Sequence, residues 1–271
     1  MIYYFNALLL SILCFSIELQ AFSYDYLSKG YFTSVHILTV DPKENVIVPV
    51  KALTRETVLT LAKQHGASAA VNGGFWKLNG DPAGILKINS SWYGTPLKPR
   101  GAIGWSSNHS RVCIDRVLTN YQLSDCPEGR EIEVIPFSTS AENWSEFEHI
   151  VGGTPVLVKA GKVIEDFSPE QILQSFLVHK HPRTAVGIKE TGEWIFVVVD
   201  GYWLRLIGGM TIKKLARLMQ ELGCVQALNL DGGRSSTMVI SDTVINHPYG
   251  KINEEGKQVE AVSDAFLIFS P

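Results

Sequence analysis

Apolar and polar positions alternate from Tyr31 to Val40 (YFTSVHILTV) and again from Asn45 to Val50, with the turn-forming DPKEN between them. This pattern predicts two strands joined as a β-hairpin. From Thr54 to His65 the period lengthens: Thr54 is placed to cap a helix, Val58, Leu61 and Ala62 share one face, and Gly66 stands where a left-handed C-terminal residue belongs. Ala67 to Val71 then predicts a small-residue strand running into Asn72-Gly73-Gly74-Phe75-Trp76, a turn that glycine backbone makes easily. Between residues 77 and 150 the pattern dissolves. Pro82, Pro96, Pro99, Pro127 and Pro136 interrupt short runs such as Glu131 to Ile135, which predicts a loop-rich aromatic middle.

Regular signals return with Pro155 to Lys159 and Lys162 to Ile164, a hairpin around Ala160-Gly161, and with a short helix expected behind Ser168 with Pro169 in its first turn. HPRTAVGI reads as a strand after Pro182. Trp194 to Val199 (WIFVVV) is apolar throughout and predicts a strand buried on both faces. Thr211 caps a helix with Ile212, Leu215, Met219 and Leu222 on one side, Gly223 ends it, and Val225 to Leu230 is the next strand. The segment reads as a βαβ unit. Right-handed crossover would set both strands parallel, so that Asp200 and Asp231 emerge at one carboxyl edge. Asp200-Gly201 and Asp231-Gly232-Gly233 also suit plain turns, and spacing leaves both readings open. The expected fold class is therefore α/β (mixed α+β): one domain, with a central mixed sheet containing the C-terminal βαβ unit, plus peripheral hairpins.

Composition narrows the function classes. The chain of 271 residues is 45% hydrophobic and 19% charged, with a formal net charge of −3 and no run of like charges, which argues against nucleic acid as a partner. Ala7 to Ile17 (ALLLSILCFSI) has the length of a signal peptide and falls short of the ~20 residues that cross a bilayer. Residues 1–21 are expected to be an export signal and residues 22–271 the domain, which makes the protein secreted or periplasmic, with no membrane contact after cleavage. Cys113, Cys126 and Cys224 remain after that cleavage. The first two could close a loop in an oxidising compartment or stay as thiols, and no spacing suggests zinc.

Phosphate loops, dinucleotide fingerprints, HExxH and GxSxG are absent. What remains is a set of polar residues among glycines at predicted strand ends: Asn72, Gly73 and Gly74, Arg183 and Thr184, Asp200, and Asn229 through Asp231, Gly232, Gly233, Arg234 and Ser235. Glycines there let a ligand approach backbone N–H groups. Arg183 and Arg234 in a chain without a basic surface suit an anion on a small ligand, although an ion pair of Arg234 with Asp231 is the structural alternative.

The blocks NGGFW, GGTPVLV, HPRTAVGI, VVVDGY and NLDGGRSSTM, in that order, resemble the phosphodiester glycosidase family over about residues 70–270. One departure is Arg234, where many relatives have a third glycine. The resemblance implies hydrolysis of a sugar C1–O–phosphate bond in a sugar phosphodiester or related glycan, with N-acetylglucosamine as the family's known sugar. That reaction passes through an oxocarbenium-like state and needs carboxylates and charge neutralisation on the departing phosphate; it requires no cofactor. Asp231 is the expected carboxylate at C1, Asp200 its acid/base partner or a ligand of a sugar hydroxyl, and Arg183 with Arg234 the phosphate clamp. Asn72 and Asn229 are expected on sugar hydroxyls, Phe75, Trp76, Tyr202 or Trp203 on a sugar face, and His181 as a general acid or an exposed loop residue. Two other readings stay open: a metal-dependent phosphodiesterase cutting P–O, with Asp200 and Asp231 on a divalent cation, and a secreted glycan-binding module without turnover.

Overall fold

The computed structural model describes residues 17–19, 22–29, 33–138, 142–201, 208–248 and 259–271. The fold is mixed but sheet-rich, with three antiparallel sheets in place of the single central sheet expected. The first contains, in spatial order, Ile17–Leu19, Phe22–Ser28, Ser34–Val40, Trp194–Val199, Arg183–Lys189, Cys224–Asn229, Val156–Lys159 and Lys162–Val163. The second runs Val134–Pro136, Val112–Thr119, Arg100–Trp105, His149–Gly153, Leu86–Ile88 and Ser91–Gly94, and the third Thr243–Val244, Met238–Ile240, Ala69–Asn72, Val262–Phe269 and Val46–Glu56.

Side-chain alternation explains how three sheets share one core. Phe196 and Val198 face inward to Leu86, Ile103 and Val151 of the second sheet and Val71, Phe266 and Ile268 of the third. Ile195 and Val197 point outward, under helix α3 (Ile212–Glu221). Burial on both faces is why WIFVVV carries no polar residue. Trp105 sits where the sheets converge. Its ring stacks on Phe266 at 5.7 Å, meets Trp194 edge-on at 5.3 Å, and its Nε1 donates to the Ile47 carbonyl at 3.1 Å. The third sheet is backed by helix α1 (Val58–His65), whose Leu61 and Ala62 pack on Ala70 and Leu267.

Several expectations change. The predicted hairpin does not pair, because the turn after Val40 carries the chain from one sheet to another: Ser34–Val40 bonds to Phe22–Ser28 and Trp194–Val199, and Val46–Glu56 bonds to Val262–Phe269. Since that strand extends to Glu56, α1 starts later than expected and is capped by Thr57, whose hydroxyl accepts from Thr60 N. The proline-rich middle supplies the whole second sheet, with Pro136 ending an edge strand where its missing N–H costs nothing. The βαβ unit takes a different form. Trp194–Val199 and Cys224–Asn229 are not neighbours; Arg183–Lys189 lies between them, antiparallel to both. The short helix behind Ser168 divides into a single turn, Ser168–Glu170, and helix α2 (Gln174–Val178). Cys113 and Cys126 are not joined to each other, so the 113–126 loop is not closed by a disulfide.

Glu170 ties the first two sheets together. It is fully buried, pairs with Arg116 Nε at 3.1 Å, and accepts from Gly101 N, Val156 N and Thr154 Oγ1. Removing one partner of a buried ion pair leaves the other charge uncompensated. Glu170→Ala is therefore expected to lower the unfolding free energy by about 3 kcal/mol in urea titrations. A loss below about 1 kcal/mol would contradict this role.

Candidate active site

Two glycine turns from different sheets meet at the site. Asn72 ends its strand fully buried; its Oδ1 accepts from Thr184 Oγ1 at 2.8 Å and from Thr237 N at 3.1 Å, while its Nδ2 donates to the Asp231 carbonyl at 2.9 Å. The Asp231 N–H in turn donates to the Gly73 carbonyl at 3.2 Å. The turn carrying Asp231 is thereby fixed against the turn carrying Gly73 and Gly74.

The glycines are required by close approach. A methyl group on Gly73 would overlap Asp264 Oδ1, one on Gly74 would lie 2.7 Å from the Gly152 carbonyl, and one on Gly232 would lie 2.8 Å from the Pro182 carbonyl. Gly233 adds a positive φ of 64°.

Into this junction the strand Val262–Phe269 delivers Asp264, which sequence reasoning did not select. Its Oδ1 accepts from Gly74 N at 2.7 Å, its Oδ2 from Ser263 Oγ at 2.6 Å, and its carbonyl from Gly73 N at 2.9 Å. Burial pushes its carboxyl above the usual range. Asp231 is half-buried, and its Oδ1 accepts from Gly232 N at 2.8 Å. Desolvation raises its pKa to about 7, against hydrogen bonds from Ser235 and Gly232 and with added repulsion from Asp264 and Glu260. Both carboxyl groups are thus less acidic than usual, chiefly through burial. The available signal was a lone acid inside the apolar run VSDAFLIF, where a buried charge needs a reason.

Asp264 lines a cleft of about 230 Å³ together with Gly74, Phe75, Arg100, Gly153 and Thr154. Other predicted residues lie elsewhere. Asp200 has a separate set of partners: His36 Nε2 at 3.0 Å, Asn246 Nδ2 at 2.9 Å and the His247 N–H at 3.0 Å. These bonds outweigh desolvation and hold its pKa below the usual value. No hydrogen bond or ion pair among the described residues joins Asp200 to Asp231, and no group of three His, Cys, Asp or Glu side chains there is arranged to hold a metal ion.

Arg183 is 1% exposed. Its Nε donates to the Met210 carbonyl at 3.0 Å and its Nη2 to the carbonyls of Phe176 at 2.7 Å and His179 at 3.1 Å. Desolvation lowers its pKa to about 10. These bonds tie Arg183 to α2 and to Met210. Arg234 reaches Glu260 at 3.0 Å, so its ion pair is with that residue and not with Asp231.

Asn229, with no solvent exposure, spends its Nδ2 on the carbonyls of Thr154 and Leu230. Asn72 thus braces the turns through both ends of its amide, and Asn229 through its Nδ2. Phe75 does line the cleft, and Trp76 lies under Arg55 at 4.4 Å. His181 pairs through its backbone with Met210. Tyr202 and Trp203 lie outside the described residues.

The model of the phosphodiester glycosidase family matches residues 65–269. The SPbeta prophage-derived uncharacterized protein YomE of Bacillus subtilis (strain 168) is 31% identical over 198 residues, covering 71% of this chain and 27% of the relative. The N-acetylglucosamine-1-phosphodiester alpha-N-acetylglucosaminidase of Bos taurus is 26% identical over 203 residues, covering 72% of this chain and 35% of that protein. The chain thus spans well under half the length of each of these curated relatives. Among solved structures, the catalytic domain of the zebrafish N-acetylglucosamine-1-phosphodiester alpha-N-acetylglucosaminidase, auto-inhibited by its pro-peptide, superimposes with a TM-score of 0.67 at 18% identity, over 96% of this chain and 85% of that one. A hypothetical protein from Synechocystis gives 0.74 at 19% identity, over 95% of this chain and 64% of that one. At these identities the two structures establish the fold.

The raised pKa of Asp231 makes a stability prediction. A folded state that holds this proton more tightly than the unfolded chain is favoured below about pH 4 and loses that advantage as pH rises from about 4 to about 7. Asp231→Asn removes the penalty. Its melting temperature is expected to match wild type at pH 4 and to exceed it by a few degrees, equivalent to about 2 kcal/mol, at pH 8. A variant less stable than wild type at pH 8 would contradict the burial account.

Proposed function

The chain belongs to the phosphodiester glycosidase family, and on that premise we propose that it is an exported hydrolase that cleaves the C1–O bond of a sugar-1-phosphodiester and releases free sugar, with N-acetylglucosamine the first candidate. The observation that carries this reading is the meeting of two acidic residues at one glycine turn: Asp231, whose N–H bonds to the Gly73 carbonyl, and Asp264, whose carboxylate accepts from Gly74 N and lines a small cleft. Cleavage at C1 builds positive charge on the sugar ring, which a nearby carboxylate stabilises or captures. The departing phosphate ester is a good leaving group and needs little protonation. Ionised Asp231 acts on C1 or on the attacking water, and Asp264 accepts or returns the proton as its partner, the role that spacing had suggested for Asp200. Asp200, fully hydrogen-bonded, instead anchors the 246–247 segment. Phe75 offers a face to the sugar.

Export is proposed from the Ala7–Ile17 apolar run. Among the described residues no helix is long and apolar enough to cross a membrane.

The test is product analysis on UDP-N-acetylglucosamine across pH. Free sugar is the expected product, with kcat/KM rising through pH about 7 as Asp231 ionises and then levelling. Asp231→Asn is expected to lower kcat by about 10³-fold. Sugar 1-phosphate as product, lost with a chelator, would replace this reading with the metal-dependent phosphodiesterase. Ligand binding without any product would replace it with the glycan-binding module.

A further inference from the structure

The proposed reaction requires a cation beside the bond that the carboxylates act on, because the phosphate leaves from the same carbon. Arg183 is sealed among carbonyls and Arg234 is held by Glu260, so neither faces the cleft that contains Asp264. Arg100 does. We propose that Arg100 forms the phosphate subsite of this cleft. The identity of the ligand rests on the hydrolytic reading above; the geometry of the subsite does not.

Arg100 begins the strand Arg100–Trp105 and lines the cleft with Asp264 and Thr154. Its Nη1 donates to the Pro99 carbonyl at 3.1 Å and to the Glu170 carbonyl, which sets the plane of the guanidinium. Among the described residues no hydrogen bond is made by Nε or Nη2. A guanidinium fastened through one nitrogen, with its other edge unused, presents two parallel N–H donors that match two oxygens of a phosphate.

The charge balance points the same way. Glu170 is the carboxylate that acts on Arg100, yet its oxygens are engaged by Arg116, Gly101, Val156 and Thr154. One carboxylate is thus shared between two guanidinium groups, and Arg100 has no carboxylate of its own. In a chain of formal charge −3, a cation without an ion-pair partner among the described residues, facing a glycine-lined cleft, is matched to an anion. Gly152 and Gly153 also line this cleft, and neither has room for a side chain: a methyl on Gly152 would lie 2.9 Å from the Ile85 carbonyl, and one on Gly153 would overlap the Asn229 carbonyl. Arg100 and Asp264 share one cleft, which sets this cation beside the proton-transfer partner of Asp231.

Calorimetric titration of the full chain with inorganic phosphate tests the subsite, using wild type, Arg100→Met, Arg100→Lys and, as a control, the exposed Lys213→Ala, with a melting curve for each. Wild type and Lys213→Ala are expected to bind phosphate equally. Arg100→Met should bind at least about tenfold more weakly, and Arg100→Lys, which keeps the charge and loses the fork, should fall between them. Equal binding by folded Arg100→Met, or no binding by wild type, overturns the proposal. If Arg100→Met does not fold, Arg100→Lys decides, and undiminished binding by it overturns the paired-donor site. Sugar release measured on the same samples separates the two claims. Phosphate bound through Arg100 without sugar release would sink the hydrolytic reading and leave the subsite standing; sugar release with phosphate binding indifferent to Arg100 would do the reverse.

Discussion

Everything at the candidate site depends on the hydrogen bonds of the Asn72 side chain. One amide, buried without exposure, accepts from Thr184 in the first sheet and from Thr237 N after the second glycine turn, and donates to the Asp231 carbonyl. A buried amide left half satisfied is costly, so each of its partners is held in place by the others. The backbone bond from Asp231 N to Gly73 O closes the same junction. Two turns from separate sheets thus behave as one rigid support, and the carboxyl groups of Asp231 and Asp264 inherit their positions from it.

The price of that support is desolvation, and the chemistry uses it. The glycines that let Asp264 lie against Gly73 also exclude the water that would otherwise stabilise its charge. The same crowding brings Asp231 to about 7, within the range where a carboxyl group can both hold and release a proton near neutrality. Glu170 works the other way. Its four donors keep a fully buried carboxylate satisfied, and that carboxylate fixes Thr154 and the strand start at Arg100 on the opposite side of the cleft.

What could be read from the sequence was what local chemistry demands. Asn72-Gly73-Gly74 and Asp231-Gly232-Gly233 were legible because only glycine permits such approach, and Trp194 to Val199 because burial on both faces leaves no polar position. The second sheet was not legible: its strands are as short as Leu86–Ile88, and prolines at their edges look like breaks. Pairing of Ser34–Val40 with Val46–Glu56 failed because nearness in sequence says nothing about which sheet a strand joins. The charge of Arg183 was visible in the sequence, and the carbonyls of Phe176, His179 and Met210 that hold it were not. Arg100, in KPRG between loop residues, and Asp264, near the end of the chain, gained meaning only when the sheets placed them on one cleft.

The central claim is that the bond broken lies between the anomeric carbon and oxygen, with a carboxylate acting at that carbon. Hydrolysis of a sugar-1-phosphodiester in ¹⁸O-enriched water, followed by mass spectrometry of both products, tests it most directly. The account predicts the label in the anomeric hydroxyl of the released sugar and none in the phosphate ester. Label in the phosphate would mean attack at phosphorus and would contradict it.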